Sequence, residues 1–338
     1  MDLPQTPTSN ILLTGAGFTH NFGVPLAEGM WSLLFNHPSI KSLNKVKKLL
    51  RRDFDYESVY HEVMSGKKYS EEERSAINIA ILAAYETIDA TVRDWTFTSD
   101  APYPVNIYEI QRLIDSFAGE NRECGFFFTL NQDLFIERHY SSGGLGTMPV
   151  LPGIQAPREA RWFTANFRQQ LDSSMYVTLP GPDIFEEKAM GSLRNARFCY
   201  VKLHGSYGWR SHNGTFQIVI GGGKEQWIAK EPLLKWNFSL FKRVLSQPGR
   251  RLVVIGYGFR DPHVNDIITK AIKKNGLRLL ILCPTNPAEF RKQLMNQKYG
   301  NQLWEGLEGY FPYSLLQLYP GDQSKTEEAK MLREAIFE

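Results

Sequence analysis

Ile11-Leu12-Leu13-Thr14 runs straight into Gly15-Ala16-Gly17, and Val24 to Phe35 then takes on helical character. A short apolar strand that ends in a glycine turn and feeds a helix admits few folds, because only a tight turn lets the helix pack back on the strand. The pattern returns at Val254-Ile255-Gly256-Tyr257-Gly258, after a strand over Arg251 to Ile255 and before a helix over Val264 to Lys274. Between them, Cys124 to Leu130 is an unbroken apolar run, as in parallel strands buried on both faces. A helix over Asp133 to His139 follows it. Phe198 to Leu203 reads as a strand, Leu233 to Leu245 as a helix, Leu277 to Cys283 as a strand and Pro287 to Lys298 as a helix. This alternation predicts an α/β fold, a Rossmann-like doubly wound parallel sheet.

Ser39 to Phe117 breaks the alternation. It lacks strand signal and is mostly amphipathic helix, clearest over the Ala-rich Ser75 to Ala90, so we expect a helical insertion at about 39–117. Gly, Ser and Pro crowd Ser141 to Gly146 and Met148 to Pro157, which predicts a loop-rich insertion at about 140–197. The expected organisation is one domain over 1–318 and a C-terminal helical tail over 319–338, with Ser324 to Phe337 as its helix.

Composition excludes some classes of function. Of 338 residues, 42% are hydrophobic and 22% charged, so a buried core is within reach. A net charge of +3 argues against a surface that coats nucleic acid, and the run Lys45, Lys47, Lys48, Arg51, Arg52 reads as a solvated helix face. Cys124, Cys199 and Cys283 form no C-x-x-C pair and lie in or beside apolar runs, which suits free thiols in a reducing, cytoplasmic setting. The opening MDLPQTPTSN has neither the basic nor the apolar stretch of a secretion signal, and no run of 18 apolar residues predicts a membrane span.

Four strand ends carry polar or glycine residues, and doubly wound sheets bind ligands there. In Thr14-Gly15-Ala16-Gly17-Phe18-Thr19 the glycines would let backbone N–H groups approach a pyrophosphate, or they form a plain turn. Thr129-Leu130-Asn131-Gln132-Asp133 offers an amide and a carboxylate to a ligand, or an N-cap to the next helix. His204, between Leu203 and Gly205, is placed to titrate near neutral pH, or is a core histidine. After Gly256-Tyr257-Gly258, Asp261, His263 or Asn265 would reach ribose hydroxyls, or Asp261 caps a helix with Pro262 in its first turn. Gly221-Gly222-Gly223-Lys224 is only superficially like a P-loop.

As a set these residues resemble the sirtuin superfamily. The resemblance lies in Gly15-Ala16-Gly17 with Gly23-Val24-Pro25, in T-x-N-x-D at 129–133 and in His204-Gly205. Lys202-Leu203-His204-Gly205-Ser206 and Gly256-Tyr257-Gly258-Phe259-x-Asp261-x-His263-x-Asn265 are similar to those of the prokaryotic sirtuin-like NAD hydrolases of antiphage defence. The resemblance implies NAD as substrate and cleavage of its nicotinamide–ribose bond by Asn131 and His204. It implies a cofactor-binding set of Gly15, Ala16, Gly17, Phe18, Thr19, Asn131, Asp133, Gly256, Tyr257, Gly258, Asp261, His263 and Asn265. Asp133 would orient the nicotinamide amide or brace its loop. Deacylating sirtuins hold a structural zinc on two C-x-x-C pairs; this chain has none, so no zinc module and no metal are expected. Pro25 is also followed by Leu26-Ala27-Glu28 rather than by an acidic and aromatic run. A protein deacylase and a non-catalytic NAD or ADP-ribose sensor remain the alternatives. The resemblance further implies a homo-oligomer and a trigger from a partner ATPase or Argonaute-type protein, with the helical insertion and the terminal helix as candidate surfaces. Neither nucleic acid nor a membrane is an expected partner.

Overall fold

The structure, a computed structural model, describes residues 3–95, 104–120, 122–140, 150–152, 170, 176–211 and 216–338. Its ten strands among the described residues are β1 (Thr6–Pro7), β2 (Asn10–Thr14), β3 (Glu123–Thr129), β4 (Val177–Thr178), β5 (Phe198–Lys202), β6 (Gly205–Arg210), β7 (Phe216–Ile218), β8 (Arg251–Ile255), β9 (Arg278–Leu282) and β10 (Leu307–Phe311). β3 buries six residues in a row and β5 all five, which a strand can do only when both sheet faces are covered. Each fully buried Phe, Leu or Ile stabilises the fold by roughly 1.5–3 kcal/mol.

The main sheet is parallel throughout and runs β5-β3-β2-β8-β9-β10, with β1 pairing β3 just ahead of β2. Taking these six strands in chain order, the sequence across the sheet is 3-2-1-4-5-6, the doubly wound order in which a dinucleotide crosses the point of reversal. Reversal falls between β2 and β8, the two strands that end in glycine turns. A second sheet joins β4, β6 and β7, and the chain passes into its strand β6 directly after β5. Gly205 makes that change of sheet possible, because the chain turns there with φ at +79°.

The expected helical insertion comprises Asn44–Arg52, Tyr56–Ser65, Glu71–Asp94 and Ile107–Asp115, preceded by a short turn of 3-10 helix at Pro38–Ile40. Ser70 and Glu73 close a capping box on the longest of these, whose buried face includes Ile77, Ile81, Ala84, Tyr85 and Ile88 at helical spacing. The helix expected from Val24 starts at Ala27, and the one expected from Asp133 starts at Phe135. Of the two segments read as loop, only 150–152 are described; the rest lies outside the described residues. The stretch expected to be loop-rich also contains a helix, Pro182–Leu193.

The terminal helix Glu327–Phe337 is docked. Leu332 and Ile336 are buried, and Ile336 O accepts from Asn10 Nδ2 at 2.7 Å and from the Arg251 guanidinium at 2.6 Å. It covers the amino ends of β2 and β8, the edge opposite the glycine turns. No helix among the described residues is long and apolar enough to cross a membrane.

Candidate functional site

Register brings the strand ends together. Lys202, Thr129, Thr14, Ile255 and Leu282 stand side by side across the sheet, so β5, β3, β2, β8 and β9 all stop at one level. Asn131, Gly15, Gly256 and His204 therefore emerge along a single edge. Thr14 Oγ1 donates to Thr129 Oγ1 at 2.8 Å, and Thr129 Oγ1 accepts the Asn131 N–H at 3.1 Å. That pair of threonines sets the direction in which the Asn131 loop leaves the sheet.

The two glycine turns are packed backbone on backbone. Gly15 N donates to Ile255 O at 3.1 Å and Gly17 N to Gly256 O at 2.8 Å. Gly256 has φ of +66°, and a Cβ there would stand 2.2 Å from Phe18 N. The N–H groups of Gly15 and Gly17 are thus spent on the facing chain rather than free. Phe18 and Tyr257 point their side chains into the core, leaving only backbone for a ligand. Gly258 is different. A Cβ on it would meet only the Arg260 side chain, at 4.0 Å, so the crevice is open above the second turn.

Asn131 is nearly buried, and its Nδ2 donates to Gly15 O at 3.0 Å and to Thr19 Oγ1 at 3.3 Å. Asp133 accepts the Phe135 N–H at 3.0 Å, a bond that braces the loop. Burial raises the Asp133 carboxyl pKa above the usual range, against the pull of the nearby Lys202 cation. Beneath the loop, Lys202 and Glu137 form a fully buried ion pair at 2.7 Å, and Lys202 Nζ also donates to Asp133 O. Gln132 ties the same loop to the histidine: its Nε2 donates to His204 O at 3.2 Å and Val219 O at 2.7 Å, while Tyr85 OH donates to its Oε1.

His204 is buried, and its Nε2 lies 3.0 Å from His263 Nε2. Burial first, then the Lys224 cation, holds the His204 imidazole well below its ordinary pKa, with Asp261 pulling the other way. His263 is lowered in the same sense, again chiefly by burial. The sequence reading placed Asp261, His263 and Asn265 toward ribose hydroxyls. Asn265 is instead consumed in bracing the turn, donating to Phe259 O at 2.7 Å and accepting from Tyr257 OH at 3.0 Å. Asp261 stands at the N-cap of Pro262–Asn275, yet its side chain makes no capping bond. It pairs with Lys224 at 2.8 Å, and Lys224 pairs in turn with Glu57 at 2.7 Å. Burial alone would raise the Asp261 pKa, but His204, Lys224 and His263 hold it down at about 2.

Lys224 and Glu57 escaped the sequence reading. The one local signal was Gly221-Gly222-Gly223-Lys224, and what those glycines fit is not a phosphate. A Cβ on Gly221 would stand 2.9 Å from Glu57 O, and one on Gly222 would stand 2.8 Å from the His61 ring. The turn nests against the insertion helix Tyr56–Ser65 and so delivers Lys224 to Asp261. His204, His263 and Asp261 are also the group among the described residues whose ligand atoms could gather on a metal ion.

A family model for the SIR2-like domain matches residues 125–303, more than half of the chain. The chain belongs to the SIR2-like family. No curated protein matches it. The matched span of this SIR2-like chain covers Asn131, His204 and the Gly256 turn; the Gly15 turn lies outside it and joins through the β2–β3 and β2–β8 pairings. Membership points to an NAD-dependent enzyme on a Rossmann-like sheet, in agreement with the strand order.

Proposed function

We propose that this SIR2-like protein hydrolyses NAD to nicotinamide and ADP-ribose, with Asn131 and His204 as its catalytic residues. One observation carries the reading: the common level of the strand ends, which sets Asn131 and His204 on the sheet edge beside the β2–β8 reversal. Gly256, Tyr257 and Gly258 would line the adenosine side by their backbone, above the opening at Gly258. The exposed Ala16 and the start of the helix Ala16–His20 would face the pyrophosphate.

Nicotinamide leaves a cationic pyridinium as a neutral ring, so its departure needs no general acid. What remains is to hold the ribose, steady the positive charge that grows at C1′ and admit a nucleophile. Asn131 is suited to position water or ribose hydroxyls beside C1′. His204, neutral at physiological pH, is suited to take a proton from that hydroxyl or water. The second reading, protein deacylation, is disfavoured by the lack of a C-x-x-C pair. Mass spectrometry of an acetyl-lysine peptide with NAD separates the two. With the trigger supplied, we expect nicotinamide release whether or not the peptide is present, and an unchanged peptide mass; release that requires the peptide would establish the deacylase.

The pH profile follows from the site. A base acts in its neutral form, and His204 is held below the ordinary histidine value by burial and by Lys224. The acid limb of kcat/KM is therefore expected below pH 6.5. Lys224→Met removes a neighbouring cation and is expected to move that limb upward, as read from kcat/KM across the acid range. Unrestrained NAD loss would harm the host cell, so we place the trigger outside this chain. An oligomer worked by a partner ATPase or Argonaute-type protein, depleting NAD on infection, fits that need.

A further inference from the structure

His204 closes the loop after β5, His263 opens the helix Pro262–Asn275, and the two rings meet Nε2 to Nε2 at 3.0 Å. Two imidazole nitrogens facing each other can share one proton, or each can offer its lone pair to a cation. Asp261 adds a carboxylate, and one ligand atom from each of the three residues lies within 4.8 Å of the others. We propose that His204, His263 and Asp261 form a binding site for a divalent transition-metal ion, and that the bound ion takes the His204 nitrogen needed as a base. The expectation of no metal rested on missing cysteines alone, and cysteine is only one of the available ligands.

Geometry supports the chemical class. Nitrogens 3.0 Å apart embrace an ion at a metal–nitrogen distance of about 2.0–2.1 Å with an angle of roughly 90–95°. Two imidazoles and one carboxylate on adjacent positions suit first-row ions such as zinc or cobalt and leave further positions for water. Calcium and magnesium, which prefer all-oxygen shells, are poorly served. The carboxylate has to move toward the rings by up to about 2 Å, since the three ligand atoms lie within 4.8 Å of one another and neighbouring ligands of one ion stand roughly 3 Å apart.

Two features oppose the ion. Lys224 sits 2.8 Å from Asp261 Oδ1, and the helix N-terminus at Asp261 carries partial positive charge. Both weaken binding, and the first supplies a signature. Removing the lysine charge should tighten the site, whereas a variant that merely damaged the fold would loosen it.

Cobalt(II) added to the purified full-length chain provides the probe, followed by its visible absorption while thermal melts confirm folding. We expect one cobalt per chain. His263→Gln and Asp261→Asn should each weaken binding by about tenfold or more, Lys224→Met should tighten it by roughly threefold or more, and His37→Gln, away from this cluster, should leave it unchanged. Absence of saturable cobalt binding, or binding untouched by both His263→Gln and Asp261→Asn in folded protein, would overturn the proposal. Inhibition by the ion rests on the hydrolase reading and is measured apart, as loss of nicotinamide release on adding zinc. If no nicotinamide is released at all, the hydrolase reading fails while the cobalt titration still decides the site.

Discussion

Replacing His204 with alanine is expected to lower nicotinamide release by about 10²- to 10⁴-fold, the usual contribution of a positioned acid or base. NAD affinity should change little, because in the proposed mechanism the imidazole would act on the nucleophile while backbone of the turns would hold the dinucleotide. Asn131→Ala should lower release to a similar degree and should also cost stability. Its Nδ2 donates to Gly15 O, which also accepts the Phe18 N–H, and to Thr19 Oγ1, so each lost bond costs about 0.5–1.5 kcal/mol. Rates under saturating NAD, read beside calorimetric affinities, separate chemistry from binding. Full activity in folded His204→Ala would remove the histidine from the mechanism. Tight binding with no turnover in the unaltered protein, tested with its partners present, would instead favour the non-catalytic sensor.

Gly256→Ala is the second large effect, this time on the fold. An alanine at φ of +66° costs roughly 1–2 kcal/mol for its conformation alone. Its Cβ would also lie 2.2 Å from Phe18 N and 2.4 Å from Gly17 C, which are backbone atoms that cannot rotate away. The turns must part, breaking the 2.8 Å bond from Gly17 N to Gly256 O. We expect a loss of about 3–5 kcal/mol in denaturant unfolding together with lost NAD binding. Two comparisons isolate the cause. Gly276→Ala has a similar φ of +69° with nothing within 4 Å of the new methyl, so only the conformational part should appear. Gly258→Ala meets open crevice, so it should spare stability and weaken NAD instead. Equal destabilisation by all three would show that the turn-on-turn contact contributes nothing special.

Much of the sheet was legible because β3, β5, β8 and β9 are short unbroken apolar runs, the mark of strands covered on both faces. β10 was not. Leu307–Phe311 reads LEGYF, with a glutamate and a glycine inside it, and as an edge strand it stays only partly buried. The small sheet is hard to read in sequence, since β4 and β7 are two and three residues long and β4 falls in the segment expected to be loop-rich.

The site was legible in its address and less so in its wiring. Each motif was found because it breaks an apolar run at a strand end. That Gly15 and Gly17 spend their N–H groups on the opposite turn could not be read locally, because a turn that faces a phosphate and one that faces another turn need the same glycines. Asn265 and Asp133 look like ligand groups in sequence, and the structure shows both also hydrogen-bonded within their own loops. Lys224 and Glu57 are joined by tertiary packing across 167 positions, and only the fit of Gly221 and Gly222 against the insertion helix explains the pairing. The buried pair of Lys202 and Glu137 looked equally ordinary. Removing one partner of such a pair strands the other charge, so it fixes the Asn131 loop more by constraint than by net stabilisation.

The most direct test is to incubate the purified protein with NAD, with and without the proposed trigger protein, and to separate the products by chromatography. The account predicts equal amounts of nicotinamide and ADP-ribose, lost together in His204→Ala. NAD recovered intact from a complex that calorimetry shows to have formed, in both conditions, would contradict it.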